Sequence, residues 1–95
     1  MLYTFSRADY SSVELQTYFT QISKDDAIVL WQDGVFLALK YPHYFDSSPA
    51  FCAMLEIDIS ARNLTALLPQ LTKIRQISLL DFVEITERQQ NQIAL

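Results

Sequence analysis

The chain has 95 residues, a formal net charge of −4, 51% hydrophobic residues and only 19% charged ones. That length holds one domain and excludes a large internal cavity, because a chain this small buries only about two-thirds of the surface it exposes when unfolded. The acidic balance, with seven scattered basic residues, disfavours direct contact with nucleic acid or an anionic membrane face, and a single cysteine excludes an internal disulfide.

Leu2 to Phe5 is rich in β-formers and predicts a first strand. Ser11 and Glu14 match a capping box, and Leu15, Tyr18, Phe19 and Ile22 follow at the spacing of one helix face. Lys24-Asp25-Asp26 breaks that helix. Ala27 to Trp31 is continuously apolar, the pattern of a strand covered on both faces. Asp33-Gly34 permits a hairpin turn, or a helix from Gly34 to about Lys40 capped by Asp33; the following Leu and Ala residues favour the helix. Tyr41 to Pro49 contains two prolines and reads as a loop. Ala50 to Leu55 predicts a third strand. A helix is expected to start at Asp58 and to end at Asn63, with a further turn over Leu64 to Leu68 stopped by Pro69. Lys73 to Leu79 predicts a fourth strand, Asp81 to Ile85 a short last helix, and Glu87 to Leu95 a polar tail that is frayed or docked on a partner. The alternation implies an α/β fold: a small open, mostly parallel sheet of four to five strands with helices on both faces, one domain over residues 1–95.

The chemistry is sparse. Gly34 is the one glycine, so neither a phosphate-cradling loop nor a dinucleotide fingerprint can be built. One cysteine and one histidine cannot make a Cys/His zinc site, and no metal or cofactor is expected. Cys52 lies inside an apolar run and reads as a buried strand residue rather than a reactive thiol. His43 has only Tyr41 and Tyr44 near it in the chain, neither of which makes it a general base. Asp33 and Asp58 each follow a predicted strand. They therefore either cap helices, contributing about 1 kcal/mol each, or line a site at the carboxyl ends of the strands. Arg62 stands four residues after Asp58, where the two can pair. The aromatic residues Trp31, Phe36, Tyr41, Tyr44, Phe45 and Phe51 belong either to the core or to an interface. No apolar run reaches the ~20 residues of a membrane helix, and the amino terminus lacks a signal-peptide pattern, so a cytoplasmic protein is expected.

Four segments carry a resemblance. Met1-Leu2-Tyr3-Thr4-Phe5-Ser6-Arg7 resembles the opening of the TusB/DsrH family. Val29-Leu30-Trp31-Gln32-Asp33-Gly34-Val35 is similar to its L-L-x-Q-D-G-V segment. Glu56 to Leu64 resembles its D-x-x-A-R-G-L motif, with Asn63 in place of the glycine, and Asp81 to Thr86 resembles its D-F-V-x-L-T ending. The resemblance implies a DsrEFH-like fold and a non-catalytic subunit of a TusBCD-like complex. In such a complex persulfide sulfur is relayed toward 2-thiouridine at the tRNA wobble position, and the relay cysteine belongs to the TusD-type chain, in a loop before a helix. Cys52 does not match that position. TusC-like and TusD-like chains in a heterohexamer are the implied partners, without direct nucleic-acid or membrane contact. The segment after Asp33 and the stretch from Tyr41 to Pro49 are the expected contact regions. Two alternatives stand beside this reading: a sulfur carrier that uses Cys52, and a sulfur-oxidation subunit of the DsrEFH type.

Overall fold

The apolar runs become the strands of one sheet, and the capped amphipathic segments become the helices that cover it. The computed structural model describes residues 1–68 and 73–95. In chain order the elements are β1 (Leu2–Phe5), α1 (Ser12–Phe19), β2 (Ala27–Leu30), a 3-10 turn (Gln32–Phe36), α2 (Leu37–Lys40), α3 (Pro42–Ser47), β3 (Phe51–Leu55), α4 (Glu56–Ala61), a second 3-10 turn (Thr65–Leu67), β4 (Arg75–Ile77), α5 (Leu79–Arg88) and β5 (Gln92–Ala94). The strands form a five-stranded sheet in the order β4-β3-β2-β1-β5, and every pairing is parallel.

Strand alternation divides the core in two. Tyr3, Phe5, Ile28, Leu30, Cys52 and Met54 point to one face, where Leu15 of α1, Leu37 of α2, Phe45 of α3 and Ile59 of α4 pack on them. Leu2, Ala27, Val29, Ala53, Leu55 and Ile77 point to the other, where Phe82 and Ile85 of α5 cover them. Side chains buried on both faces explain why β2 is apolar throughout. The expected parallel α/β sheet with helices on both faces is the fold observed.

Several local expectations are corrected. Residues 42–47 form α3 rather than part of a loop: Pro42 occupies the first turn, where its missing N–H costs nothing, and Phe45 is buried. The Asp33-Gly34 pair makes neither a hairpin nor a capped α-helix start. The helix expected from Gly34 to Lys40 is split into a 3-10 turn and α2, and Asp33 makes no cap bond, the cap position being Trp31. Likewise α4 begins at Glu56, two residues ahead of Asp58, so Asp58 does not occupy its cap. Strand β4 is shorter than expected, because Ser78 leaves the sheet to cap α5 through a reciprocal bond with Asp81. Helix α5 runs on to Arg88, and the polar tail then adds β5 to the edge of β1. The Leu2 N–H donates to Asn91 O at 2.8 Å and the Leu95 N–H to Thr4 O at 2.8 Å. The stop expected at Pro69 falls outside the described residues.

Gly34 is set by packing. An added Cβ would fall on the carbonyl oxygen of Phe5, the same oxygen that accepts from the Trp31 N–H. The exit of β2 therefore passes so close to the end of β1 that no side chain fits there. Asn63 ends α4 with φ of 55°, the left-handed conformation expected of a helix terminus.

Candidate functional site at the carboxyl ends of the strands

The loops leaving β2 and β3 lie side by side because the two strands are parallel neighbours in the sheet. This brings Asp33, Asp58 and Arg62 together. Arg62 donates from Nε and Nη2 to Asp33 Oδ1, each at 2.9 Å. Its Nη1 donates to the Asp58 carbonyl at 3.2 Å and to Asp58 Oδ1 at 3.4 Å. Asp58 Oδ2 accepts the Gln32 N–H at 2.7 Å. Gln32 is left-handed, with φ of 52°, a conformation that strains a residue with a Cβ. The short bond from a carboxylate holds it there, and Arg62 holds the carboxylate. The Arg62 side chain is 24% exposed and that of Asp58 18%, whereas Asp33 is 62% exposed. Asp58 and Arg62 thus form the sheltered half of the clamp, and Asp33 the half that faces solvent.

Beside the clamp is an open groove lined by Arg7, Ala8, Asp9, Asp33 and Lys40. The groove mixes signs: Lys40 donates to the Ala8 carbonyl at 3.2 Å, and Arg7 lies 3.8 Å from Asp9 and over the Tyr10 ring at 4.6 Å. Its cations are already engaged with the protein itself.

Cys52 stands elsewhere. It lies on β3, 2% exposed, with its Sγ near the carbonyl oxygens of Ala50 and Phe45. Burial pushes its thiol up to about 11, with Lys73 opposing the shift and Asp46 adding to it. At neutral pH such a thiol is protonated and shielded. His43 is exposed on α3 with its ring 4.3 Å from that of Tyr44, and Tyr44 Oη donates to the Ser12 carbonyl at 3.1 Å, tying α3 to α1. Among the described residues no group of three His, Cys, Asp or Glu side chains could hold a metal ion. No described helix is long and apolar enough to cross a membrane.

The Asp58–Arg62 pair is the part of this site that spacing alone reveals. The link to Asp33 and the strained Gln32 are not legible there, because they depend on two loops meeting across the sheet. The available signal is that both aspartates follow predicted parallel strands, which places them at the same end of the sheet. The aromatic residues divide plainly: Phe45 is buried, Trp31 packs on Phe82 at 5.6 Å between ring centroids, and Phe51 is 42% exposed.

Fold and site together define a small all-parallel α/β domain that keeps its one cysteine thiol inside. The chain belongs to the DsrH-like family: the family described as DsrH like protein matches residues 7–92. An uncharacterized protein from Haemophilus influenzae is 56% identical over the full length of both chains. Protein TusB from Sodalis glossinidius is 38% identical and Protein TusB from Cronobacter sakazakii 35% identical, each alignment covering 99% of both chains. The solution NMR structure of protein Tm0979 from Thermotoga maritima superposes with a TM-score of 0.63, covering 96% of this chain and 97% of that one at 24% identity, a likeness of fold.

Proposed function

We propose that this protein is a non-catalytic structural subunit of a TusBCD-like assembly that relays persulfide sulfur for 2-thiolation of the tRNA wobble uridine. Membership in the TusB/DsrH family supports a subunit related to sulfur relay. The observation that carries the non-catalytic assignment is the placement of Cys52. A persulfide carrier needs a thiolate that a donor can reach, and this thiol is 2% exposed with its pKa pushed up to about 11. The same observation weighs against the carrier reading.

In this assembly the subunit contributes surface rather than chemistry. Its partners are TusC-like and TusD-like chains, the reactive sulfur travels on one of those, and the assembly works in the cytoplasm without this chain touching RNA. Replacing Cys52 by Ala in the cell of origin tests the assignment. Levels of 2-thiouridine in tRNA are expected to stay normal in the Cys52→Ala strain and to fall when the whole gene is deleted. Loss of the modified base in Cys52→Ala cells that still accumulate the protein overturns the non-catalytic assignment. Normal levels in the deletion strain overturn the role in tRNA thiolation.

Part of each expected contact region is turned inward. In the segment after Asp33, Gly34, Val35, Leu37 and Ala38 are buried in the chain's own core, and in α3 Phe45 is buried against Phe19. These side chains are committed internally, so a contact in either region would rest on the exposed side chains there, among them Asp33, Lys40, His43, Asp46 and Ser47.

A further inference from the structure

Three large apolar side chains of α5 face solvent: Leu79 is 58% exposed, Leu80 68% and Val83 44%. They stand at i, i+1 and i+4 and so lie together within the first turns of the helix. The opposite side of the same helix carries Phe82, which is buried, and Ile85, which packs against the sheet. Helix α5 is thus apolar on two sides, of which the sheet uses one. The exposed side is bordered by exposed acids of the same helix: Asp81, Glu84 and Glu87, against Arg88 as the one base. Asp81 is held in place by its reciprocal cap with Ser78, so this border begins with a fixed negative charge.

We propose that the Leu79–Leu80–Val83 face of α5 docks a different protein chain, one that presents an apolar strip flanked by lysine or arginine. The charge pattern selects the occupant. A second copy of this chain would bring three acids beside three acids at the rim of the contact, a like-charge juxtaposition that two Arg88 side chains offset only in part. Nucleic acid and anionic lipid are repelled by the same border. A basic-rimmed protein surface instead covers the leucines while pairing the acids at the edge, the usual arrangement of an apolar centre within a polar rim. This inference rests on the assembly proposed above and locates its contact surface on this subunit.

Purified chain is the starting point, followed by co-expression with the TusC-like and TusD-like chains of the same organism. Leu80→Asp and the double variant Glu84→Lys/Glu87→Lys change exposed positions only, and circular dichroism establishes that each is folded. The wild-type chain alone is expected to sediment as a monomer. Either variant is expected to weaken binding to its sibling chain at least tenfold by titration calorimetry. Raising salt from 0.1 to 0.5 M is expected to weaken the wild-type complex more than that of the double variant. A complex that forms but ignores both variants overturns the docking face and leaves the proposed assembly standing. Absence of any complex overturns both. A homodimer of the wild-type chain that Leu80→Asp abolishes also overturns the proposal, since the occupant would then be a second copy.

Discussion

Gly34, Cys52 and the Asp58–Arg62 pair each combine a chemical identity with a position that gives it meaning. Gly34→Ala puts a methyl group onto the Phe5 carbonyl, a backbone atom that cannot swing aside. The variant is expected to lose about 2 kcal/mol or more of stability, read from urea denaturation midpoints. Asp58→Ala leaves the Gln32 amide without its carboxylate partner and a strained residue unsupported, so a loss of about 1–2 kcal/mol is expected. Asp33→Ala removes an acceptor that is mostly in water and should cost less than about 0.5 kcal/mol. Measuring the two variants side by side checks that order. The Cys52 thiol titrates near 11 in the folded protein and near the ordinary value of 9.0 when unfolded. Its folded pKa is raised, so its contribution is fully present below pH 9 and is lost as pH rises toward 11, where the unfolded chain ionises first. Wild-type protein should therefore lose stability relative to Cys52→Ala over that window, and its thiol should react with a thiol reagent at neutral pH no faster than the protein opens.

Short elements dominate this fold, and at their ends sequence and structure agree for α1 but part for α3, α4 and α5. The Ser11–Glu14 capping box starts α1 as its residues predict, with the Ser11 hydroxyl accepting the Glu14 N–H at 3.1 Å and the Glu14 carboxylate accepting the Ser11 N–H at 3.2 Å. Ser78 and Asp81 repeat the device at α5. Aspartate in the place of glutamate hides that second box from a search for the usual pattern, which is why only the helix and not its cap is legible. Ser78→Ala is expected to cost about 1 kcal/mol, measurable as a lowered thermal midpoint, and to loosen the first turn that carries Leu79 and Leu80. Helix α3 was hidden for a related reason. Two prolines and two serines within nine residues resemble a loop, but Pro42 sits where a helix tolerates it, and burial of Phe45 supplies what local propensity lacks.

Across the whole molecule, the sheet order puts β1 between β2 and β5, so the first and last strands are neighbours. The right-handed preference of parallel crossovers places α5 on the face opposite the other helices once the chain must return from β4 to the far side of β1. With that edge closed and both faces covered, Leu2 is fully buried and Tyr3 is only 7% exposed. Ending the chain after Arg88 reopens the β1 edge and is expected to lower the thermal midpoint and to speed hydrogen exchange at the Leu2 amide. Unchanged exchange would mean that β5 adds nothing to the sheet.

The residues alone determined what could be decided by local chemistry: the apolar runs, the capping serine of α1, a left-handed asparagine, a buried cysteine, and a parallel α/β class set by alternating periodicities. They determined as well what could not be built, since one glycine and one cysteine leave no phosphate loop and no disulfide. Tertiary structure alone decided the rest. The link from Arg62 to Asp33, the strand made from a polar tail, and the side of α5 that the sheet leaves uncovered all depend on how segments distant in the chain become neighbours. Contacts of that kind leave no periodic trace in either partner, because each half looks like an ordinary surface residue until the sheet brings the other half beside it.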